Sequence, residues 1–366
     1  MGNKLLRLLA AMGLLIIIIA LVLNFTKSNS GSKEPTKKQL RIVTTFYPIY
    51  LIGENLSKDI DEITLESLAE MNTGCLHDYQ LTTEDMKAIS RADVLIINGG
   101  GMEGFLDDIR ENYPELAVID TSRGISLLKN IYEDGHEHDG EASDEDGHDH
   151  EDEHTDENED NYEDDAVTDV EHEEEHNHGE YNSHVWLDPA LYMKQIDNVT
   201  NGLVEYISTS VSFDKDLKDK LVEGIQNNSN IYYSSVDELN QKYIATIKDS
   251  QERNAGKARP QAVIFHDAFS YLAELSDITI AHAVPLEPDS ALSAATIAEI
   301  VDEVIQDKIK YLFIEEQFSD SIAKQIEEET DAKLYIIDSV VTGDGALDSY
   351  ITAMEKNLQV IQQVLK

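Results

Sequence analysis

Residues 133–180 hold 25 Asp and Glu, eight His and not one Lys or Arg. Such a strip has almost no large apolar side chains and no hydrophobic period, so it cannot enter a core and is expected to be disordered. Whatever the chain folds into must be built from the segments on either side. The strip's histidines are His136, His138, His148, His150, His154, His172, His176 and His178. Imidazole and carboxylate are both metal ligands, and imidazole suits zinc, copper and nickel. The strip therefore announces a divalent metal, with its own histidines as weak accessory sites, without saying what is done with the ion.

The flanking segments share one pattern. Ahead of the strip, LRIVTTF (residues 40–46), ITLESLAE (63–70), ADVLIINGG (92–100) and AVID (117–120) read as strands. Pro48 opens a helical stretch after the first, and residues 82–90 form another before the third. Continuous apolar runs ending in glycine are the mark of buried parallel strands. Beyond the strip, order resumes at HVWLDP (184–189). Residues 216–253 lack proline, and Tyr233, Val236, Leu239, Tyr243 and Ile247 recur there at spacings of three and four. That spacing predicts one long helix, or two in succession. QAVIFHD (261–267), ITIAHAV (278–284), YLFIEEQ (311–317) and KLYIIDS (333–339) then alternate with helical stretches at 296–306, 319–330 and 350–366. The predicted fold class is α/β, with two lobes, each a largely parallel sheet flanked by helices, joined by a long rigid helix. Residues 40–226 form the first lobe with 133–180 inserted in it, 227–253 the connecting helix, and 254–366 the second lobe.

The formal charge is −45, of which the strip supplies −25. The remaining −20 still argues against a nucleic-acid partner, whose phosphates need Lys and Arg, and is compatible with attracting cations. In residues 1–39, Lys4 and Arg7 precede an apolar run at 8–23, and a polar stretch follows. This reads as an export signal or an uncleaved anchor in the membrane, which puts the bulk of the chain outside the cytoplasm, at the cell surface or in a periplasm. Cys75 is the only cysteine, so no intramolecular disulfide forms and none stands just after the apolar run to take a lipid.

Four histidines lie outside the strip. His266 and Asp338 end apolar runs, His77 lies in the loop after the second strand, and His184 lies in a turn ahead of Pro189. In open α/β sheets ligands bind beyond the carboxyl ends of the strands. Three imidazoles and one carboxylate are a sound tetrahedral set for zinc. Plainer readings stand beside this one. Any single histidine of the set can be a hydrogen-bonded loop residue, and Asp338 can cap the next helix. Cys75 reads as a small buried residue, with a ligand role open through its nearness to His77. His282, inside an apolar strand, reads as a satisfied core histidine. HEEEH at 172–176 matches a metalloprotease motif but lacks the apolar helix face such a site needs, and reads as low-complexity chance.

Several stretches in order carry a resemblance: IVTTFYPIY from Ile42, LHDY from Leu76, ADVLIINGGGMEGFL from Ala92, HVWLDP from His184, FHDAFSYLAE from Phe265 and FIEEQFSDSIAKQIEEETDAKLYIID from Phe313. Over residues 40–366 the chain resembles the zinc- and manganese-binding substrate-binding proteins of ABC importers, zinc-uptake type with a His-rich loop. The resemblance implies a cluster A-I periplasmic-binding-protein-like fold. It also implies metal ligands at His77, His184, His266 and Asp338. Zn2+ is the implied cargo over Mn2+, because His266 stands where manganese members tend to carry a carboxylate. An ABC-transporter permease is the implied partner, and a monomer is expected. The chain departs from the pattern at Thr73-Gly-Cys-Leu-His77, where a proline is common, and in lacking the usual lipid-anchor cysteine.

The expected function is thus a non-enzymatic zinc receptor. Alternatives are a manganese receptor of the same family, a zinc hydrolase with Asp338 or Glu316 as base, and a surface metal buffer or adhesin built on the strip. Because ligand imidazoles must be unprotonated, affinity is expected to fall as pH drops through about 6 to 7. The receptor reading separates the two groups of histidines. His266→Ala should lose most tight zinc binding, and deleting residues 133–180 should remove only weak additional ions. Metal titration of the two variants checks this, and the reverse result would sink the assignment.

Overall fold

A computed structural model of the chain describes residues 39–76, 79–131, 180–284, 292–316 and 321–366. The apolar run at 8–23, residues 133–179 of the acidic strip with all eight of its histidines, and His77 lie outside the described residues. Among the described residues no helix is long and apolar enough to cross a membrane.

The first half runs β1 (Leu40–Thr44), α1 (Tyr47–Ser57), β2 (Ile63–Ser67), α2 (Thr83–Arg91), β3 (Val94–Ile97), α3 (Leu106–Asn112) and β4 (Ala117–Asp120). The strand order is β2-β1-β3-β4. A short 3-10 turn at Val185–Leu187 leads into α4 (Pro189–Thr209), followed by α5 (Lys215–Arg253). The second half runs β5 (Gln261–Ile264), α6 (Ser270–Leu275), β6 (Thr279–Ala283), α7 (Ala294–Asp307), β7 (Tyr311–Glu315), α8 (Ser321–Glu329), β8 (Lys333–Ile337) and α9 (Ser349–Val364). Its order, β6-β5-β7-β8, repeats that of the first sheet. The fold is two four-stranded parallel sheets flanked by helices, as the alternating pattern predicts.

Local chemistry explains the element boundaries. Pro48 sits in the first turn of α1, where a missing N–H costs nothing. Thr82 and Asp85 form a reciprocal capping box on α2. Asp188 accepts the N–H groups of Ala190 and Leu191 to start α4, and Asp214 accepts that of Leu217 to start α5. Most of the apolar runs overshoot their strands at the carboxyl end, as 261–267 against Gln261–Ile264 shows, whereas 117–120 matches β4. The overshoot has a cause: Phe46, Phe265 and Val284 follow their strands and are fully buried. Apolar patterning reports burial, and at this edge burial continues into the loops.

Helix α5 is continuous over 39 residues, about 58 Å at 1.5 Å per residue. Its buried stripe is Leu221, Ile225, Tyr232, Val236, Leu239 and Tyr243. Val236, Leu239 and Tyr243 are buried as the spacing predicts, while Tyr232 takes the buried place expected of Tyr233 and Ile247 is only half-buried. Around α5 a tyrosine seam joins the halves of the chain. Tyr192 of α4 stacks on Tyr350 of α9 with centroids 3.8 Å apart. Its hydroxyl lies 3.1 Å from that of Tyr232 and donates to the Pro48 carbonyl at 3.0 Å. The Tyr350 hydroxyl donates to the Trp186 carbonyl at 2.8 Å, and the Trp186 indole N–H donates to the Ser339 carbonyl, also at 2.8 Å. Burial holds the Tyr192 and Tyr350 hydroxyls protonated by pushing their pKa values well above the ordinary phenol value.

Tyr350→Phe removes only the donor to a buried carbonyl and should cost about 1–3 kcal/mol. Tyr350→Ala also opens a cavity and should cost about 3–5 kcal/mol. Thermal unfolding of the two variants against the parent checks the order, and equal losses would contradict the importance of the stack.

Candidate metal centre

With the order β2-β1-β3-β4 the connections reverse between β1 and β3, and in the second sheet they reverse between β5 and β7. A parallel sheet leaves a crevice beyond its carboxyl edge at such a point. At the first, Glu103 fills the gap. Its carboxylate accepts the Thr45 hydroxyl at 2.8 Å and the N–H groups of Asn98 and Gly99 at 2.7 and 3.0 Å. Burial pushes its pKa up to about 7, and the three donors pull the other way. Gly99 is required here: its φ is +80°, and a Cβ would stand 2.0 Å from an Asp120 carboxylate oxygen. The Asn98 amide then donates to the Ser183 carbonyl at 2.9 Å. This tie places the segment that carries His184.

His184 is buried and held by a neighbour two residues back. The Asn182 side-chain oxygen lies 3.0 Å from both the His184 backbone nitrogen and Nδ1. The amide end of Asn182 donates to the Asp267 carbonyl at 2.6 Å, which fixes the oxygen as the acceptor. A proton on His184 Nδ1 satisfies that oxygen and leaves the Nε2 lone pair for another partner.

His266 stands at the second crevice, two residues past the end of β5. Its backbone φ of 139° is rare for a residue with a side chain, and such strain costs on the order of 1–3 kcal/mol. The conformation is held from both sides. Phe265 N–H donates to the Phe313 carbonyl of β7 at 3.1 Å. On the other side, Asp267 accepts the Ser270 hydroxyl and the Ile131 N–H. His266 Nδ1 is hydrogen-bonded to the Glu315 carboxylate at the end of β7. Glu315 is buried. A carboxylate behind an imidazole fixes its tautomer, orients the ring and makes the far nitrogen a better metal ligand.

The rings of His184 and His266 meet edge to face, centroids 5.2 Å apart. Cys75 Sγ lies 3.5 Å from His184 Nε2. One ligand atom from each of Cys75, His184 and His266 falls within 4.8 Å of the others. Among the described residues, this is the trio whose donors could share one ion, and Asp338 is not part of it. Asp338 follows β8 and is half-buried, its carboxylate accepting the Val340 N–H at 2.8 Å. It does not cap a helix, since α9 begins only at Ser349. Burial raises its pKa above the ordinary carboxylate value, and the negative charges of Glu316 and Glu315 add to this. An ionised Asp338 is thus disfavoured here, and a nearby cation would relieve the cost.

Sequence reasoning misses two contributors, Glu315 and Asn182, and for Cys75 leaves a ligand role open beside the reading as a small buried residue. Cys75 is half-buried beside the imidazoles, not a packed core residue. Glu315, not the exposed Glu316, backs His266. Asn182 sets the His184 tautomer. Nearness in sequence to His77 and His184 is the only signal for Cys75 and Asn182. His282 is half-buried on β6, its two nitrogens each 3.2 Å from a carboxylate, those of Glu303 and Asp307. It is satisfied as expected, but at the surface and not in the core.

Comparison with known proteins turns on this arrangement. The family model described as ZnuA, zinc-uptake complex component A, periplasmic, matches residues 42–364. The chain belongs to the ZnuA family. It is 26% identical over 354 residues to the zinc-binding lipoprotein AdcA of Streptococcus pneumoniae, covering 95% of this chain and 60% of that protein. It is 25% identical over 350 residues to the high-affinity zinc uptake system protein ZnuA of Bacillus subtilis, covering 92% of this chain and 91% of that one. The chain therefore spans about 60% of the length of its pneumococcal relative. In fold it is similar to Zn(II)-bound AdcA from Streptococcus pneumoniae, with a TM-score of 0.64 at 22% identity, covering 89% of this chain and 57% of that one. It is also similar to the metal-dependent lipoprotein YcdH from Bacillus subtilis, with a TM-score of 0.63 at 21% identity, covering 90% and 100%.

Glu315→Gln keeps an acceptor behind His266 and removes its charge. Affinity for a divalent cation should fall about 10- to 100-fold with the fold intact. Competition titration against a chelating dye checks this, and unchanged affinity would remove Glu315 from the centre.

Proposed function

We propose that this ZnuA-family chain is an extracytoplasmic solute-binding receptor. It captures a zinc ion between its two sheets and delivers it to the membrane permease of an ABC importer. The observation that carries the reading is the meeting of His184 and His266 beyond the switch points, each with one ring nitrogen committed to a backing acceptor. The other ring nitrogen of each is the one that would bind a shared ion. The names of the relatives, a zinc-binding lipoprotein and a zinc uptake system protein, support the same cargo.

The proposed ligands are His77, by its place in the LHDY motif, with His184, His266 and Asp338. A full set of protein ligands closes the coordination sphere, and a closed sphere leaves no position for an activated water. That favours carriage of the ion over catalysis. The seam of Trp186, Ser339 and Tyr350, with the unbroken helix α5, favours small opening movements over a wide hinge. The acidic strip is assigned weak, multiple capture that raises the local ion concentration. Manganese is disfavoured by the imidazole at His266, since Mn2+ prefers oxygen donors. The protein is proposed to act as a monomer and to hold the membrane through residues 8–23.

Elemental analysis of the protein as purified, with no metal added, tests the cargo. One zinc per chain that survives dialysis is expected. Manganese in its place, or no retained ion, would overturn the reading.

A further inference from the structure

The donor trio includes a sulfur that the receptor reading does not use. Cys75 lies in the loop after β2, half-buried, with Sγ 3.5 Å from His184 Nε2. Around a tetrahedral zinc, with Zn–S near 2.3 Å and Zn–N near 2.0–2.1 Å, a sulfur and a nitrogen ligand are separated by about 3.6 Å. The observed spacing is thus already that of two ligands of one ion. His184 presents Nε2 to this sulfur because Nδ1 is taken by Asn182. His266 presents its own far nitrogen because Nδ1 is taken by Glu315. The three donors, within 4.8 Å of one another, come from three separate loops.

We propose that Cys75 is a ligand of the captured ion, taking the fourth position in place of Asp338, which lies outside the donor trio, and giving the centre a sulfur donor beside the imidazoles of His184 and His266. The proposal rests on the receptor reading for what the ion is, and adds what selects it. As the sulfur–metal bond forms, the thiol proton leaves to solvent and no electrons are transferred. A thiolate with two imidazoles favours zinc, and the softer cadmium, over manganese, magnesium and calcium, which prefer oxygen donors. Cys75 would then be a specificity-determining residue.

Cobalt(II) added to the full-length, metal-stripped protein provides the test. A thiolate bound to Co2+ gives an intense sulfur-to-metal charge-transfer band in the near ultraviolet, which imidazole and carboxylate ligands do not. Cys75 is the only cysteine in the chain, so the band in the unaltered protein identifies the ligand without any variant. It should appear with the first equivalent, and Cys75→Ser should lose it. A residue supporting a ligand is worth on the order of 10- to 100-fold in affinity, so zinc and cadmium should weaken by at least that much in Cys75→Ser, and manganese far less. Tight uptake of the first cobalt without the band would overturn the sulfur ligand and leave the receptor reading standing. Failure to take up any ion tightly would overturn both.

Discussion

The centre depends on strands β5 and β7 lying side by side and running the same way. Parallel pairing brings Ile264 opposite Phe313, so the second residue past one strand and the last residue of the other emerge at the same edge. His266 and Glu315 are far apart in sequence, yet meet through a direct hydrogen bond. Slipping β7 by one residue would turn Glu315 to the opposite face of the sheet and leave the His266 imidazole without its carboxylate. The backbone strain at His266 is tolerated because the pairing of Phe265 with Phe313 and the turn at Asp267 hold both of its flanks.

The first sheet contributes through the same geometry with different chemistry. Its crevice is closed by Glu103, which gathers Thr45, Asn98 and Gly99 around one carboxylate. The reward is positional: Asn98, held by that cluster, reaches Ser183 and delivers His184 to the second sheet. Asn182 then ties the same segment to the Asp267 carbonyl. The segment running from Asn182 to Trp186 is therefore anchored to both halves of the molecule. The tyrosine stack and the Trp186–Ser339 bond extend that anchoring into the core. Ligands on such a seam are fixed in position by contacts that do not involve the ion.

Much of the fold was legible in local pattern. Eight apolar runs separated by helical stretches identified two parallel sheets. The misreadings share a cause. Strands were read long at their carboxyl ends because Phe46 and Phe265 are buried in loops, and apolarity does not say whether a buried residue is hydrogen-bonded in a ladder. The stripe on α5 was read correctly at Val236, Leu239 and Tyr243 and missed at one position, because Tyr232 and Tyr233 are identical side chains and only packing selects between them. His184 and His266 were legible from their strand-end and turn positions. Glu315 and Asn182 were not, since a glutamate and an asparagine carry no periodic signal, and Cys75 was read as a small buried residue with a ligand role only left open.

The sequence by itself determined the class of fold, the order of its elements, the candidate imidazoles and the concentration of acidic and histidine residues in one strip. These follow from interactions between near neighbours: helical and strand periods, caps, and charge density. Only the tertiary structure decided which ring nitrogen of each histidine faces the shared space and which acceptor stands behind it. It also decided that the single thiol lies at ligand distance from an imidazole more than a hundred residues away. Those choices are made by hydrogen bonds between segments remote in sequence, and such bonds exist only once two parallel sheets have brought their carboxyl edges together.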